Sequence, residues 1–220
     1  MVNSISPAAT KQLYRVLKIQ DSNKDGIIQD GVDVGYNANA DINNDGRLIG
    51  AELRYYAQIL GARVPEKVKA KNALTMEDKT ILASLAWESV GDTDLNEVAT
   101  MYGLAAALDF LSFTAVTLAT SEMYPDQAKS MFMQTFNVLV ASIDPTSGIP
   151  LQNPEDMIGM ADLLMLRLRA SGLFSQEEAQ QAFKAIELVK AYYQAVALTP
   201  SDGAQTPPLD SPKEPLKIFH

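Results

Sequence analysis

The stretch "DSNKDGIIQDGVDVGYNANADINNDGRLIGAEL", from Asp21 to Leu53, decides how the amino-terminal part of the chain folds. The pattern Asp-x-Asn-x-Asp-Gly occurs in it twice, at Asp21–Gly26 and at Asp41–Gly46. Carboxylates at alternate positions repel one another unless a cation lies between them. A glycine after each set allows a sharp turn of the backbone. We therefore predict two loops that wrap a hard divalent cation.

The second loop has an oxygen donor at every position that a calcium loop requires. In such loops, side chains at positions one, three and five give ligands, position six is glycine, position seven gives its carbonyl and position twelve gives a bidentate carboxylate. These positions are occupied, in order, by Asp41, Asn43, Asp45, Gly46, Arg47 and Glu52. Ile49 at position nine leaves room for a water molecule. The sequence predicts a Ca²⁺ site here, because a simple Asn/Asp-Gly turn would leave Glu52 unexplained.

The first loop is less regular at its end. Its first four ligands are predicted to be the side chains of Asp21, Asn23 and Asp25 and the carbonyl of Ile27. Position twelve is Val32, which cannot bind a metal, whereas Asp33 follows one residue later. Either the loop is one residue longer and Asp33 closes it, with Asp30 as an extra or water-mediated ligand, or the site is degenerate and weak. We favour the longer loop.

The two loops lie close together along the chain. The connector between them, Val32–Ala40, contains Gly35 and two asparagines and is a poor helix former. We therefore predict the order helix, loop, short connector, loop, helix. Ile28 and Leu48 occupy the same position in their loops, and we expect them to form a small antiparallel contact.

These motifs resemble known calcium-binding families. The second loop resembles an EF-hand, and the first is similar to the thrombospondin type 3-like calcium repeats of bacterial surface proteins, which follow their acidic units with Asp-Gly-x-Glu/Asp. "QDGVD" (Gln29–Asp33) matches that last element with a shift of one residue. The resemblance covers about 40 of the 220 residues. It implies calcium ligation at Asp21, Asn23, Asp25, Asp33, Asp41, Asn43, Asp45 and Glu52. Proteins with such repeats are commonly exported.

The rest of the chain shows helical spacing of apolar residues and no alternation typical of strands. The sequence predicts an all-α protein: an EF-hand-like two-loop calcium module at 1–61, a polar linker at 62–74, a bundle of about five helices at 75–198, and a proline-rich disordered tail at 199–220. Thr75 with Asp78 resembles a capping box at the start of the bundle. The end of the tail, "PLKIFH", suggests either a docking peptide or a frayed end.

One predicted helix is apolar on all sides. The stretch Val98–Thr120 has a single charge, Asp109, and is long enough to span a bilayer. No Lys or Arg flanks it, although such residues usually flank membrane spans. We expect it at the centre of the bundle, where Asp109 needs a hydrogen-bond partner. Membrane insertion is the less favoured interpretation.

Composition excludes several classes of function. The net charge of -9 and the pI of about 4.6 argue against a nucleic-acid partner. The chain has no cysteine, and its one histidine is His220, so catalytic triads and thiolate or histidine-rich metal sites are not expected. The start lacks the basic and apolar regions of a signal peptide. The expectation is a cytoplasmic protein, or an exported one if this chain is a processed form.

The sequence favours a non-enzymatic protein that binds one or two Ca²⁺ ions, in a structural or a sensor role. The alternative is a scaffold whose helical bundle, or whose tail, binds a protein partner while calcium is purely structural. An enzyme would require a cleft in which Asp109, Glu88 or Arg167 converge.

Overall fold

The computed structural model describes residues 7–60 and 64–198. In this part of the chain the protein is mostly helical, and its one sheet has two short strands. The expectation of an all-α protein is therefore confirmed as far as the content of helix and strand is concerned. The chain forms two compact units: the first runs up to Asp92 and includes Thr120–Tyr124, and the second contains Thr93–Ala119 and the chain from Pro125 onward.

The first unit is built around the two loops. Its elements are α1 (Pro7–Leu17), β1 (Ile28–Gln29), a 3₁₀ turn (Ala38–Ala40), β2 (Arg47–Leu48), α2 (Gly50–Tyr55), a π-helical turn (Tyr56–Leu60), α3 (Glu66–Lys71) and α4 (Met76–Asp92). The strands are antiparallel with Ile28 opposite Leu48, which confirms the predicted contact. Both side chains lie in an apolar core, whose other buried members are Leu13, Ala40, Leu53, Ala57, Val64 and Val68.

The connector between the loops passes directly against the end of α1. Gln20 and Val34 exchange backbone hydrogen bonds of 2.9 and 3.2 Å. Next to this bridge Gly35 has a φ of +86°, and a Cβ atom there would lie 2.6 Å from the carbonyl oxygen of Lys18. Only glycine combines this φ with so close an approach of two backbone segments. The 3₁₀ turn is the connector's one helical element.

The segment predicted to be a linker is part of the first unit's core. Residues 62–74 contain α3, and Val64 and Val68 are buried. The two valines are four residues apart and therefore share a face. The basic residues around them made the stretch look polar in sequence. The first compact unit accordingly continues to Asp92, beyond the boundary expected at 61.

Helix α4 is fixed to α2 by a buried ion pair. Thr75 and Asp78 form the predicted capping box, with Thr75 N–H donating to Asp78 Oδ2 at 2.8 Å and Asp78 N–H donating to Thr75 Oγ1 at 3.1 Å. Arg54 Nε donates to the same Oδ2 at 2.9 Å, and its Nη2 donates to Oδ1. Both side chains are buried. Burial raises the pKa of Asp78, but the bonds from Arg54 and Thr75 outweigh it and the pKa is lowered.

The second unit contains the remaining helices. They are α5 (Leu95–Tyr102), α6 (Leu104–Ser121, whose last two residues belong to the first unit), α7 (Pro125–Ala141), α8 (Pro154–Ser171) and α9 (Gln176–Leu198). The prediction of one continuous helix through Val98–Thr120 is wrong, because Gly103 breaks it at φ +90° and ψ 164°. Asp94 caps α5 by accepting bonds from Asn96 N–H and Glu97 N–H.

Helix α6 is long and apolar enough to cross a membrane by length and composition, and 61% of its residues are buried within the protein. A core helix of a soluble protein has the same properties. The buried partner expected for Asp109 is Arg167 on α8, whose Nη1 lies 2.6 Å from Asp109 Oδ1. The same nitrogen donates to the Asp109 carbonyl and to Ser112 Oγ. Glu88 is exposed on α4, in the first unit.

Candidate metal centre

The two loops share one backbone turn. Position four is left-handed in both, at Lys24 and Asn44, and position six is a glycine with positive φ.

 The φ angles are 61° at Lys24 and 56° at Asn44, and 84° at Gly26 and 77° at Gly46. Asparagine and glycine adopt this region readily, whereas other residues enter it only where the surrounding contacts require it. The repeated sequence pattern therefore produces a repeated backbone conformation.

The first aspartate of each loop accepts the loop's own amide hydrogens. Asp21 Oδ2 accepts from Gly26 N–H at 3.0 Å, and Asp41 Oδ2 accepts from Gly46 N–H at 2.8 Å. The aspartate at position five also accepts from the backbone of its own loop. The carboxylates of Asp25 and Asp45 each accept from the amide two residues later at 2.8 Å. These bonds turn the predicted ligands at positions one and five toward the inside of each loop.

Asp33 comes back to the first loop, as the longer-loop interpretation requires. Its Oδ1 accepts from Ser22 N–H at 2.7 Å and its Oδ2 accepts from Gln29 N–H at 3.0 Å. The hydrogen bonds from Gln29 and Ser22 lower the pKa of Asp33. The side chain of Val32 is 53% exposed. Asp30 is also exposed, and its side chain has no bond to the first loop among the described contacts.

Glu52 closes the second loop from within the first turn of α2. Only 2% of its surface is exposed. Its Oε1 accepts from Ile42 N–H at 3.0 Å and its Oε2 accepts from Ile49 N–H at 2.9 Å. Burial raises the pKa of Glu52 to about 7; the two backbone bonds lower it, and the charges of Asp41 and Asp45 raise it further. The bond from Ile42 N–H places one oxygen of this carboxyl group next to Asp41 along the loop.

Two tyrosines contact the loops, and the sequence patterns did not identify them. Tyr36 O–H donates to Asp41 Oδ2 at 2.7 Å. Tyr14 borders a surface pocket together with Asp21 and Asp25, and its pKa is raised by burial and by the charges of Asp21, Asp25 and Asp33. Loop patterns specify residues inside the loop only, and an aromatic residue before it carries no comparable signal.

The predicted ligands do not converge on one point. Among the described residues, no group of three or more Asp, Glu, His or Cys side chains is gathered as a metal ion would require. Asn23 and Asn43 lie within their loops, and Asn23 Oδ1 accepts from Asp25 N–H at 3.1 Å. The carboxylates instead bond to backbone amides, and in the described part of the chain none of the loop carboxylates forms an ion pair with Lys or Arg.

The donor set nevertheless suits a hard cation. Every predicted ligand is an oxygen atom from a carboxylate, a side-chain amide or a backbone carbonyl, which is the chemistry that Ca²⁺ prefers. The stretch from Asp21 to Leu53 has seven acidic and two basic residues. A carboxylate has about four lone-pair sites, so a carboxylate that accepts one amide bond per oxygen keeps capacity for a cation.

Fold and loops together define a mostly helical protein with a paired acidic-loop unit. We compared the chain with family models, with curated proteins and with solved structures, and none of the three comparisons gave a match. The EF-hand and thrombospondin type 3-like assignments therefore stay predictions from the loop patterns.

Proposed function

We propose that the protein is a non-enzymatic calcium-binding protein whose acidic loops bind one or two Ca²⁺ ions. The observation that carries the proposal is the buried position of Glu52, whose carboxylate accepts from the amide of Ile42, the residue next to Asp41. A buried carboxylate near another is unfavourable without a compensating charge. A divalent cation supplies that charge at the position where the loop pattern expects it.

The second loop would hold an ion with the side chains of Asp41, Asn43, Asp45 and Glu52 and the carbonyl of Arg47. The first loop would use the side chains of Asp21, Asn23, Asp25 and Asp33 and the carbonyl of Ile27. The bound ion supplies positive charge that offsets the repulsion among the carboxylates. Each loop keeps its turn through its own amide bonds, so ion binding needs adjustment of side chains more than of backbone.

The ion's role follows from what α2 is attached to. Glu52 and Arg54 lie on the same short helix, and Arg54 is paired with Asp78 at the start of α4. A buried ion pair with several hydrogen bonds resists displacement, because an unpaired charge in the interior is costly. This favours a structural role, in which calcium binding stabilises the folded first unit, over a sensor role in which α2 moves against α4.

Calorimetric calcium titration of the full chain tests the proposal. We expect Glu52→Gln to abolish or strongly weaken one site and Asp33→Asn to weaken the other. Glu66→Gln is the matched control, because the Glu66 side chain is 89% exposed on α3, and it should bind like the unmodified protein. Absence of heat at about 1 mM calcium, the weak end for extracellular modules, would contradict the proposal.

The alternative function is a scaffold in which the helical unit binds a protein partner and calcium is purely structural. The exposed apolar side chains of Met101, Tyr102 and Leu151, which are 61%, 72% and 56% exposed, favour this alternative. Partner binding that persists in a calcium chelator, and that is lost when these three residues are replaced by serine, would support it.

A further inference from the structure

A cleft of about 600 Å³ opens in the second unit between the start of α6 and the start of α8. Small residues form much of its wall, namely Gly103, Ala105, Ala106 and Gly159. The break between α5 and α6 at Gly103 lies at one side of it. Tyr102 and Leu151 border it with largely exposed apolar side chains. The cleft therefore offers apolar surface that the described residues leave uncovered.

The charged residues that line the cleft are all acidic. They are Asp109, Glu155 and Asp156. Asp109 is already paired with Arg167 on its buried side, and 48% of its side chain stays exposed. Glu155 and Asp156 are exposed in the first turn of α8, and neither has an ion-pair partner in the described part of the chain. An apolar cleft with this charge fits a segment that combines apolar side chains with lysines.

Helix α9 ends at the side of the second unit where the cleft lies. Helices α8 and α9 are antiparallel, as shown by the ion pair of Asp162 with Lys190 at 2.7 Å and by Arg169 over the Phe183 ring at 4.6 Å. The two contacts share one register, because seven residues forward along α8 correspond to seven residues back along α9. Continuing this register to the ends of the helices places Leu198 beside Pro154. Leu198, the last described residue, therefore lies next to the first turn of α8, which forms one wall of the cleft.

We propose that the cleft binds the segment Lys213–His220 of this chain, "KEPLKIFH", which lies outside the described residues. The segment carries two lysines and one glutamate, Glu214, so its side chains have a net charge of +1 toward the acidic wall. It also supplies Leu216, Ile218 and Phe219 for the apolar surface. The chain between Leu198 and Lys213 contains four prolines; it spans roughly 19–23 Å as a flexible coil and up to about 46 Å as an extended proline-rich linker. Such a short tether gives an effective concentration in the millimolar range, so even a weak contact is populated.

Disulfide trapping in the full chain tests the proposal. The protein has no cysteine of its own, so only the introduced cysteines can form disulfides. The test variant is Tyr102→Cys with Ile218→Cys. The control is Leu188→Cys with Ile218→Cys, because Leu188 is an exposed residue of α9 that does not line the cleft and is nearer to Ile218 along the chain. We expect the disulfide within one molecule to form at least tenfold faster in the test variant.

An equal or slower rate than in the control would overturn the proposal. Disulfides that form only between molecules, at a rate that rises with protein concentration, would also overturn it and would assign the cleft to a second copy of the chain. The rates are measured by non-reducing electrophoresis after addition of oxidised glutathione, at several protein concentrations.

Charge reversal gives an independent test in the same cysteine background. Glu155→Lys with Asp156→Lys should slow the trapping several-fold, and adding Lys213→Glu with Lys217→Glu should restore it. Glu177→Lys, in the first turn of α9 at the other end of the helix pair, is the matched control and should leave the rate unchanged. Thermal melts monitored by circular dichroism confirm that the variants are folded. If the added Lys213→Glu and Lys217→Glu substitutions do not restore the rate, the proposed pairing of charges is overturned.

Discussion

The two acidic loops have the same backbone turn, but their closing carboxylates lie in opposite surroundings. Asp33 follows the first loop on a partly exposed connector, and its pKa is lowered by backbone hydrogen bonds. Glu52 follows the second loop inside the first unit, is 2% exposed, and has a pKa raised by burial to about 7. The comparison teaches that the loop pattern sets the turn, whereas burial sets the electrostatic energy of the site.

The largest expected effect concerns the anchoring of the second loop. Arg54→Met leaves Asp78 buried without its partner, which typically lowers the free energy of unfolding by about 3–5 kcal/mol. Arg15→Met, at an exposed position of α1, should change it by less than about 0.5 kcal/mol. Urea denaturation in a calcium chelator measures both. Similar small effects for the two variants would show that α4 does not hold the second loop in place.

The next effect is the pH dependence of stability without calcium. The folded-state pKa of Glu52 is raised from 4.5 to about 7, so the folded state binds the proton more tightly than the unfolded state. Stability from this group is therefore present below pH 4.5 and is lost as the pH rises through about 7, by up to about 3 kcal/mol. Asp33 has the opposite sign, because its lowered pKa gives stability that is lost as the pH falls.

Urea denaturation between pH 4 and pH 8 in a chelator checks this prediction. We expect the difference between Glu52→Gln and the unmodified protein to grow in favour of the variant as the pH rises. A difference that does not change with pH would show that the pKa of Glu52 is not raised in the folded protein.

The shared turn predicts equal effects in both loops. Gly26→Ala and Gly46→Ala each place a Cβ in open space but at positive φ, which costs roughly 1–2 kcal/mol. The two variants should agree within about 0.5 kcal/mol in urea denaturation. A clearly larger effect in one loop would show that the common sequence pattern does not give a common backbone in solution.

The smallest effect tests how the first loop ends. Val32→Glu places a carboxylate at the regular twelfth position, but the Val32 side chain is 53% exposed and Asp33 already bonds across the loop. We expect calcium affinity to change by less than about threefold, as for a surface substitution of about 0.5 kcal/mol. A large gain in calorimetric titration would favour the degenerate-loop interpretation instead.

Features specified locally were predictable from the sequence, and features that depend on distant residues were not. The pairing of Ile28 with Leu48 followed from their equal positions in two similar loops. The ion pair of Arg54 with Asp78 joins residues far apart in the chain, and neither has a pattern that identifies the other. The break at Gly103 was missed because a single glycine inside an apolar run is compatible with a continuous helix.

The ion pair between α2 and α4 also determines which piece of the chain can be transplanted. A fragment ending at residue 61 would carry both loops, yet it would lack Asp78, the partner of the buried Arg54, and the valines Val64 and Val68 that complete the apolar core. The smallest fragment that keeps both loops and their buried contacts therefore extends through α4, well past the last loop residue.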